Sequence, residues 1–261
     1  MNRAEATPLD VKLMNMTAAV LLLTFAVLGA VALARWVARM PVFDIRAIAV
    51  SGDVQHNNLL TLRANVTPRL TGTFFSVDLA RVRAVFESVP WVRQAVVRRD
   101  FPNRLQVVLQ EHRPVAYWGG DGEVRLINSY GEVFEANVGE VEQEALPQLS
   151  GPEGRSAEVL AMYRTLAPLF EPMELPIEQL ELSGGGSWRV HLESGAVIEL
   201  GRGETADIVA RVQRFLQTLT QVTSRYARHA NAVESADLRH ENGYAIRLRG
   251  VSTLAATGPK K

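Results

Sequence analysis

Gly201-Arg202-Gly203-Glu204 stands between an apolar run and a long amphipathic pattern, where the amides of a helix start could cradle a phosphate. It lacks the second half of a dinucleotide fingerprint and the lysine of a phosphate-binding loop. A tight turn entering a helix is the better reading. Ser183-Gly184-Gly185-Gly186-Ser187 likewise reads as a loop between strands. The five histidines, at 56, 112, 191, 229 and 240, fall in different elements without HExxH or HxH spacing, so no metal site is expected. No G-x-S-x-G elbow occurs, and the acidic residues have no recognisable acid/base frame. The chain is therefore expected to carry no catalytic constellation and no cofactor.

A second candidate is basic. The stretch PWVRQAVVRRDFPNRLQVVLQEHRP (90–114) holds arginines at 93, 98, 99, 104 and 113. A nucleic-acid grip would interleave aromatic rings among them. Only Trp91 and Phe101 are near, and both read as core or turn packing, so no nucleic-acid partner is expected. The arginines form either a solvated sheet face or one that meets an acidic partner or anionic headgroups.

Composition agrees with that restraint. The 261 residues sum to a formal charge of zero. Residues 41–113 hold ten Arg against six Asp/Glu, while 114–261 hold fourteen Lys/Arg against twenty. Lysine occurs only at 12, 260 and 261, so a cluster of arginines says little by itself. With no cysteine, disulfides, thiolate ligands and thiol nucleophiles are excluded.

The elements that position these residues begin with an anchor. Leu13–Ala34 carries no charge and would span roughly 33 Å as a helix, enough to cross a bilayer. Ala32-Leu33-Ala34 resembles a signal cleavage site, but the apolar run is too long for a signal h-region. Lys12 precedes the run, and Arg35, Trp36 and Arg39 follow it as membrane-interface residues. Charge alone does not choose the orientation.

Beyond the anchor, VFDIRAIAVSGD (42–53) reads as a strand ending in a Gly52-Asp53 turn. NNLLTLRANV (57–66) reads as a short helix capped by Asn57 or Asn58. A second helix is expected from about Asp78 to Ser88, with Val82, Val85 and Phe86 on one face and Pro90 beyond its end. Val92, Ala95, Val97 and then Leu105, Val107, Leu109 can supply the inner face of a hairpin. The three-residue step from Val92 to Ala95 predicts a bulge.

The second half begins with two short strands in EVRLINSYGEVFEA (123–136), turning at Ser129-Tyr130-Gly131. LPQLSGPEG (146–154) reads as a loop, and SAEVLAMYRTLAPLF (156–170) as a helix. Three strands follow, IEQLEL, WRVHL and AVIEL, then the longest helix from about Glu204 or Thr205. AVESADLR and YAIRLR give two final strands joined at Glu241-Asn242-Gly243, before a frayed tail. The fold class is α+β. A single transmembrane helix is followed by a β-α-α-β-β module, then by a mostly antiparallel β domain with two helices.

In YAIRLRG, Tyr244, Ile246 and Leu248 alternate with Ala245, Arg247 and Arg249. This is either an internal strand or a sheet edge able to accept another strand.

FDIRAIAVSG at the start and WVRQAVVRRDFPNRLQVVLQEHRPVAYW at the end resemble a POTRA domain. With LINSYGEVF, LGRGE and DLRHENGYAIRL further on, the whole chain is similar to the FtsQ/DivIB family of bacterial cell-division proteins. The resemblance implies a cytoplasmic segment 1–12, a transmembrane helix 13–34 and a juxtamembrane linker 35–42. It further implies a POTRA domain 43–113, a C-terminal β domain 114–250, a flexible tail 251–261 and a periplasmic bulk. It also implies a non-enzymatic inner-membrane scaffold of the divisome that helps control septal peptidoglycan synthesis.

The partners so implied are FtsB and FtsL at the second domain. Others, such as FtsK and FtsW–FtsI, are implied at the POTRA and transmembrane regions. Arg239 and His240 of DLRH would lie at the FtsB–FtsL surface, with Tyr244, Ile246, Arg247 and Leu248 along the last strand and Arg189 as a second acid-binding position. The family often has Tyr where His240 stands. A POTRA-bearing chaperone of outer-membrane clients is the alternative. The long β-barrel that usually accompanies such modules does not fit in 261 residues.

Overall fold

Leu9–Ala38 forms one continuous helix, α1, of mean hydropathy 2.4 over its most apolar window and with none of that window buried. An apolar helix of 30 residues whose apolar window is unburied fits a single-pass membrane protein. The computed structural model describes residues 9–56, 72–120, 125–141, 145–240 and 243–251. The chain divides into two compact units, Met1–Glu111 and His112–Lys261.

In the first unit, Pro41–Phe43 forms a 3-10 turn before strand β1 (Ala47–Gly52) begins. The strand therefore starts five residues later than the alternation from Val42 implied. Pro41 presets a helical φ, and the Asp44 amide closes the turn on the Pro41 carbonyl. The helix expected over 57–66 lies outside the described residues. Helix α2 (Leu79–Glu87) is capped by Asp78, whose carboxylate accepts from the amides of Ala80 and Arg81.

Strands β2 (Val92–Asp100) and β3 (Arg104–Glu111) are antiparallel, with the register slipping between Val92 and Gln94 as the bulge requires. β1 pairs in parallel with β3, giving the order β1-β3-β2. Strict alternation along β3 buries Leu105, Val107, Leu109 and Glu111. Val82 and Phe86 of α2 pack against this face together with Val92 and Ala95. Trp91 is buried and stacks on His56 with ring centroids 4.0 Å apart. Phe101 lies outside the core, 68% exposed in the β2–β3 turn, with its ring edge-on to Phe74 at 5.8 Å.

The second unit is a nine-stranded sheet in the order β12-β11-β10-β9-β8-β7-β4-β5-β6. Its strands are β4 (Pro114–Trp118), β5 (Arg125–Asn128), β6 (Val133–Phe134), β7 (Gln148–Ser150) and β8 (Ile177–Leu182). Then come β9 (Trp188–Leu192), β10 (Val197–Gly201), β11 (Val233–Asp237) and β12 (Ala245–Leu248). β7 corrects the reading of LPQLSGPEG as loop. It pairs in parallel with both β4 and β8 and joins the two halves of the sheet. At three residues it is too short to show alternation, and only its neighbours make it a strand.

Helices α3 (Ser156–Phe170) and α4 (Thr205–Ser224) cover one face. Ile208, Val212, Phe215, Leu216 and Leu219 form the buried stripe of α4. They join Val159, Leu160, Leu166 and Phe170 of α3 and the inward residues Leu180, Val190 and Ile198 in one core. The buried Asn128 side chain accepts from the amides of Tyr130 and Glu132 and donates to the Glu132 carboxylate, which shapes the β5–β6 turn. Ser156 then donates to the Gly131 carbonyl at 2.7 Å, tying the start of α3 to that turn.

Phe86 is 1% exposed at the centre of the first core, so Phe86→Ala should cost about 3–5 kcal/mol. Hydrogen exchange on the full chain is expected to show lost protection of the β2 and β3 amides. Unchanged protection would contradict this packing.

Candidate functional site

β12 is one edge of the nine-stranded sheet; it pairs with β11, and no described strand lies on its other side. Its alternation sorts the predicted residues into two sets. Leu248 is 5% exposed and belongs to the core, while Tyr244 and Ile246 are half-buried against the same cluster. The Tyr244 ring meets Phe215 edge-on at 5.0 Å, and its hydroxyl lies 2.7 Å from Thr218 Oγ1, pinning the entry to β12 onto α4. The Leu248 side chain is therefore not a surface contact. What this strand offers outward is its backbone, with Ala245 and Arg247 on the open face. Arg247 lies 3.4 Å from Glu234 of β11.

Where β11 ends, Arg239 folds back on Asp237. Nε donates to Oδ1 at 2.8 Å and Nη2 to Oδ2 at 2.6 Å, while the Arg239 amide donates to Oδ1 at 3.0 Å. This bidentate fork holds an exposed guanidinium in one orientation. Its hydrogen bonds keep the Asp237 carboxyl at about 2, well below its ordinary value. The remaining N–H groups of Arg239 stay available to another acceptor. His240 is exposed beside it.

Arg189 is placed differently. It sits in β9 between two of the protein's own carboxylates, Nη1 3.1 Å from Glu181 of β8 and Nε 2.7 Å from Glu199 of β10. The hydrogen bond it donates to Glu199 is the main cause that raises its pKa. Glu199 is also the register partner of Asp237. Glu181, Arg189, Glu199 and Asp237 therefore form one lateral row across four strands, on the face away from the helices. Arg189 and Arg239 belong to one charged row, but Arg189 is closed by two partners whereas Arg239 is open on one side. Asp237 could have been found from its position two residues before Arg239; Glu181 and Glu199 required the strand register.

The Gly201–Glu204 turn lies beside this row. A pocket of about 330 Å³ is lined by Ser187, Gly201, Arg202, Arg211 and Arg239. Arg211 reaches back from α4 to donate to the carbonyls of Leu200 and Arg202, at 2.7 and 2.8 Å. A side-chain clamp on carbonyls is the work of a tight turn. Gly201 has φ +82°, and a Cβ there would stand 2.9 Å from Arg239 Cγ.

The residues expected at the membrane interface all lie on or just after α1, with Trp36 63% exposed and Arg35 in the last turn. Lys12 is in its first turns and Arg39 directly follows its end. No group of three or more metal-ligating side chains occurs among the described residues.

A sequence profile described as "POTRA domain, FtsQ-type" matches residues 43–112, and one described as "Cell division protein FtsQ/DivIB, C-terminal" matches 116–239. The chain belongs to the FtsQ/DivIB family of cell-division proteins. Cell division protein FtsQ of Thiomonas arsenitoxydans is 41% identical over 247 residues, covering 94% of this chain and 89% of that protein. The Burkholderia pseudomallei protein of the same name is 41% identical over 253 residues, 97% and 98% of the two chains. That of Bordetella pertussis is 37% identical over 255 residues, 91% and 90%. The family is one of division proteins rather than enzymes, and it implies protein–protein interactions within the division machinery.

Two outcomes follow from the site geometry. Gly201→Ala forces a left-handed conformation at a cost of roughly 1–2 kcal/mol and displaces Arg239, so the thermal midpoint should fall. An unchanged midpoint would contradict the tight turn. Because the folded pKa of Asp237 is depressed, its contribution to stability is present above the ordinary value of 3.8 and is lost as pH falls through about 2. Asp237→Asn should therefore lower stability at pH 6 by less than about 1 kcal/mol, as expected of an exposed pair, and the difference should vanish near pH 2. Denaturant titrations across that range measure it.

Proposed function

We propose that the chain is a bitopic inner-membrane scaffold of the divisome, with its N-terminus cytoplasmic and its bulk in the periplasm. It acts at the division septum, where it links upstream division proteins to FtsB and FtsL and helps control septal peptidoglycan synthesis. The observation that supports this reading best is the β12 edge, along which no described strand pairs, beside the Arg239–Asp237 fork. An extended partner segment can add to that edge through main-chain hydrogen bonds. A carboxylate of the same partner can take the N–H groups that Asp237 leaves over.

In this reading Asp237 orients Arg239 for an acidic contact on FtsB, and Arg247 and His240 flank it. Arg189 serves the sheet instead, as its two internal partners indicate. FtsK and FtsW–FtsI are assigned to the POTRA module and the membrane helix.

Arg239→Glu should leave the domain folded and weaken FtsB capture by roughly ten- to a hundredfold, the value of a charge-assisted contact. Arg189→Glu should instead lower the melting midpoint, because three carboxylates would then be adjacent across β8, β9 and β10. Titration of purified FtsB–FtsL against both variants, with melting curves alongside, tests the assignment. Wild-type affinity in Arg239→Glu would overturn it.

A further inference from the structure

Outside α1, large apolar side chains are exposed at few places, and three of these lie in one region: Val42 at 54%, Phe75 at 49% and Phe101 at 68%. Phe75 and Phe101 belong to a connected aromatic ledge, and Val42 precedes its first ring, Phe43, in the chain. Phe43 meets Phe75 edge-on at 4.8 Å, Phe75 meets Phe74 at 5.2 Å, and Phe74 meets Phe101 at 5.8 Å. Phe75 and Phe101 are thus joined through the buried Phe74 into one patch, unlike scattered surface phenylalanines.

The ledge is fixed to the end of α1. Thr73 Oγ1 donates to the carbonyl of Ala38, the last residue of the helix, at 2.9 Å. The Phe74 amide donates to the Phe43 carbonyl at 2.7 Å, and Asp44 bridges Thr73. Arg99 clamps the same turn from β2, donating to the carbonyls of Phe74 and Val77 at 2.7 and 2.8 Å. The Arg46 amide bonds the Asn103 carbonyl at 2.9 Å, so the β2–β3 tip lies beside the segment leaving the membrane helix.

These contacts hold Phe75 and Phe101 near a helix end that carries the exposed Trp36. The headgroup zone is roughly 7 Å deep on each side of a bilayer, and aromatic rings concentrate there. Basic residues outnumber acidic ones around the ledge, with Arg35, Arg39, Arg46 and Arg104 against Asp44 and Asp100. That balance suits anionic lipid headgroups.

We propose that Val42, Phe75 and Phe101 form a lipid-contact surface that seats the POTRA module on the headgroup layer of the membrane crossed by α1. The contact fixes the orientation of the module relative to the anchor, so the module is not free to swing on a linker. The proposal rests on α1 spanning the bilayer.

The full chain in phosphatidylethanolamine–phosphatidylglycerol proteoliposomes tests it, with brominated phosphatidylcholine as quencher. In the unmodified protein, which also carries Trp91, Trp118 and Trp188, the quenchable emission that Trp36→Phe removes reports whether α1 is inserted; its absence would remove the anchor and the proposal together. In a Trp36→Phe background, Phe101→Trp and Phe75→Trp should each lose roughly half of the added emission and shift to the blue, as interfacial rings do. Val96→Trp, on the exposed open face of the same sheet, should stay unquenched. Quenched Trp36 with unquenched Trp at both 75 and 101 would overturn the ledge while leaving the anchor intact. Equal quenching at 96 would overturn its specificity for that surface.

Discussion

Burial of one face of the nine-stranded sheet beneath α3 and α4 is the constraint from which the second unit takes its properties. A sheet can alternate only between two faces, so committing Leu180, Val190, Ile198 and Ala236 to the core sends Glu181, Arg189, Glu199 and Asp237 to the other side. Among the described residues no helix covers that side, and its charges are satisfied laterally. The Arg189 ion triad and the Arg239 fork are two solutions to this one problem. They differ because Arg189 has a strand on each side, whereas Arg239 lies past the end of β11. Position in the sheet, more than residue type, decides which guanidinium is closed and which stays open.

The first unit shows the same logic on a smaller scale. Three strands and α2 enclose a modest core, and the hairpin arginines are mostly tied up within the unit. Arg99 serves the carbonyls of a neighbouring turn, and Arg104 lies 3.1 Å from Asp100. A row of arginines that looks like a grip in the linear chain thus becomes part of the scaffold.

Much of this is legible in the amino-acid sequence. The alternation of Leu105, Val107 and Leu109, the three-residue step at the bulge and the helical stripe of α4 each encode their own element locally. The misreadings have local causes as well. Val42 to Ile45 alternate like a strand, but Pro41 seeds a turn. β7 is too short to carry a pattern and exists only through β4 and β8. At the candidate site, DLRH pointed to Arg239, and the alternation grouped Tyr244 with Ile246 and Leu248. Which of the two faces was inward depended on α4, and the partners of Arg189 depended on a register set across three strands. Long-range pairing is what a one-dimensional pattern leaves unwritten.

The β11–β12 hairpin joins the rest of the sheet through three parallel register pairs, Val197 with Ser235, Ile198 with Ala236 and Glu199 with Asp237. Parallel pairing is the weaker kind, and α4 intervenes in sequence before β11 can reach β10. A parallel seam of three register pairs therefore runs directly behind the edge strand, with Tyr244 packed against α4 beside it. Local opening draws on such seams. A strand laid along β12 would lengthen the hairpin into a three-stranded ribbon and tighten the seam behind it, so occupancy at the edge would be felt as rigidity two strands further in.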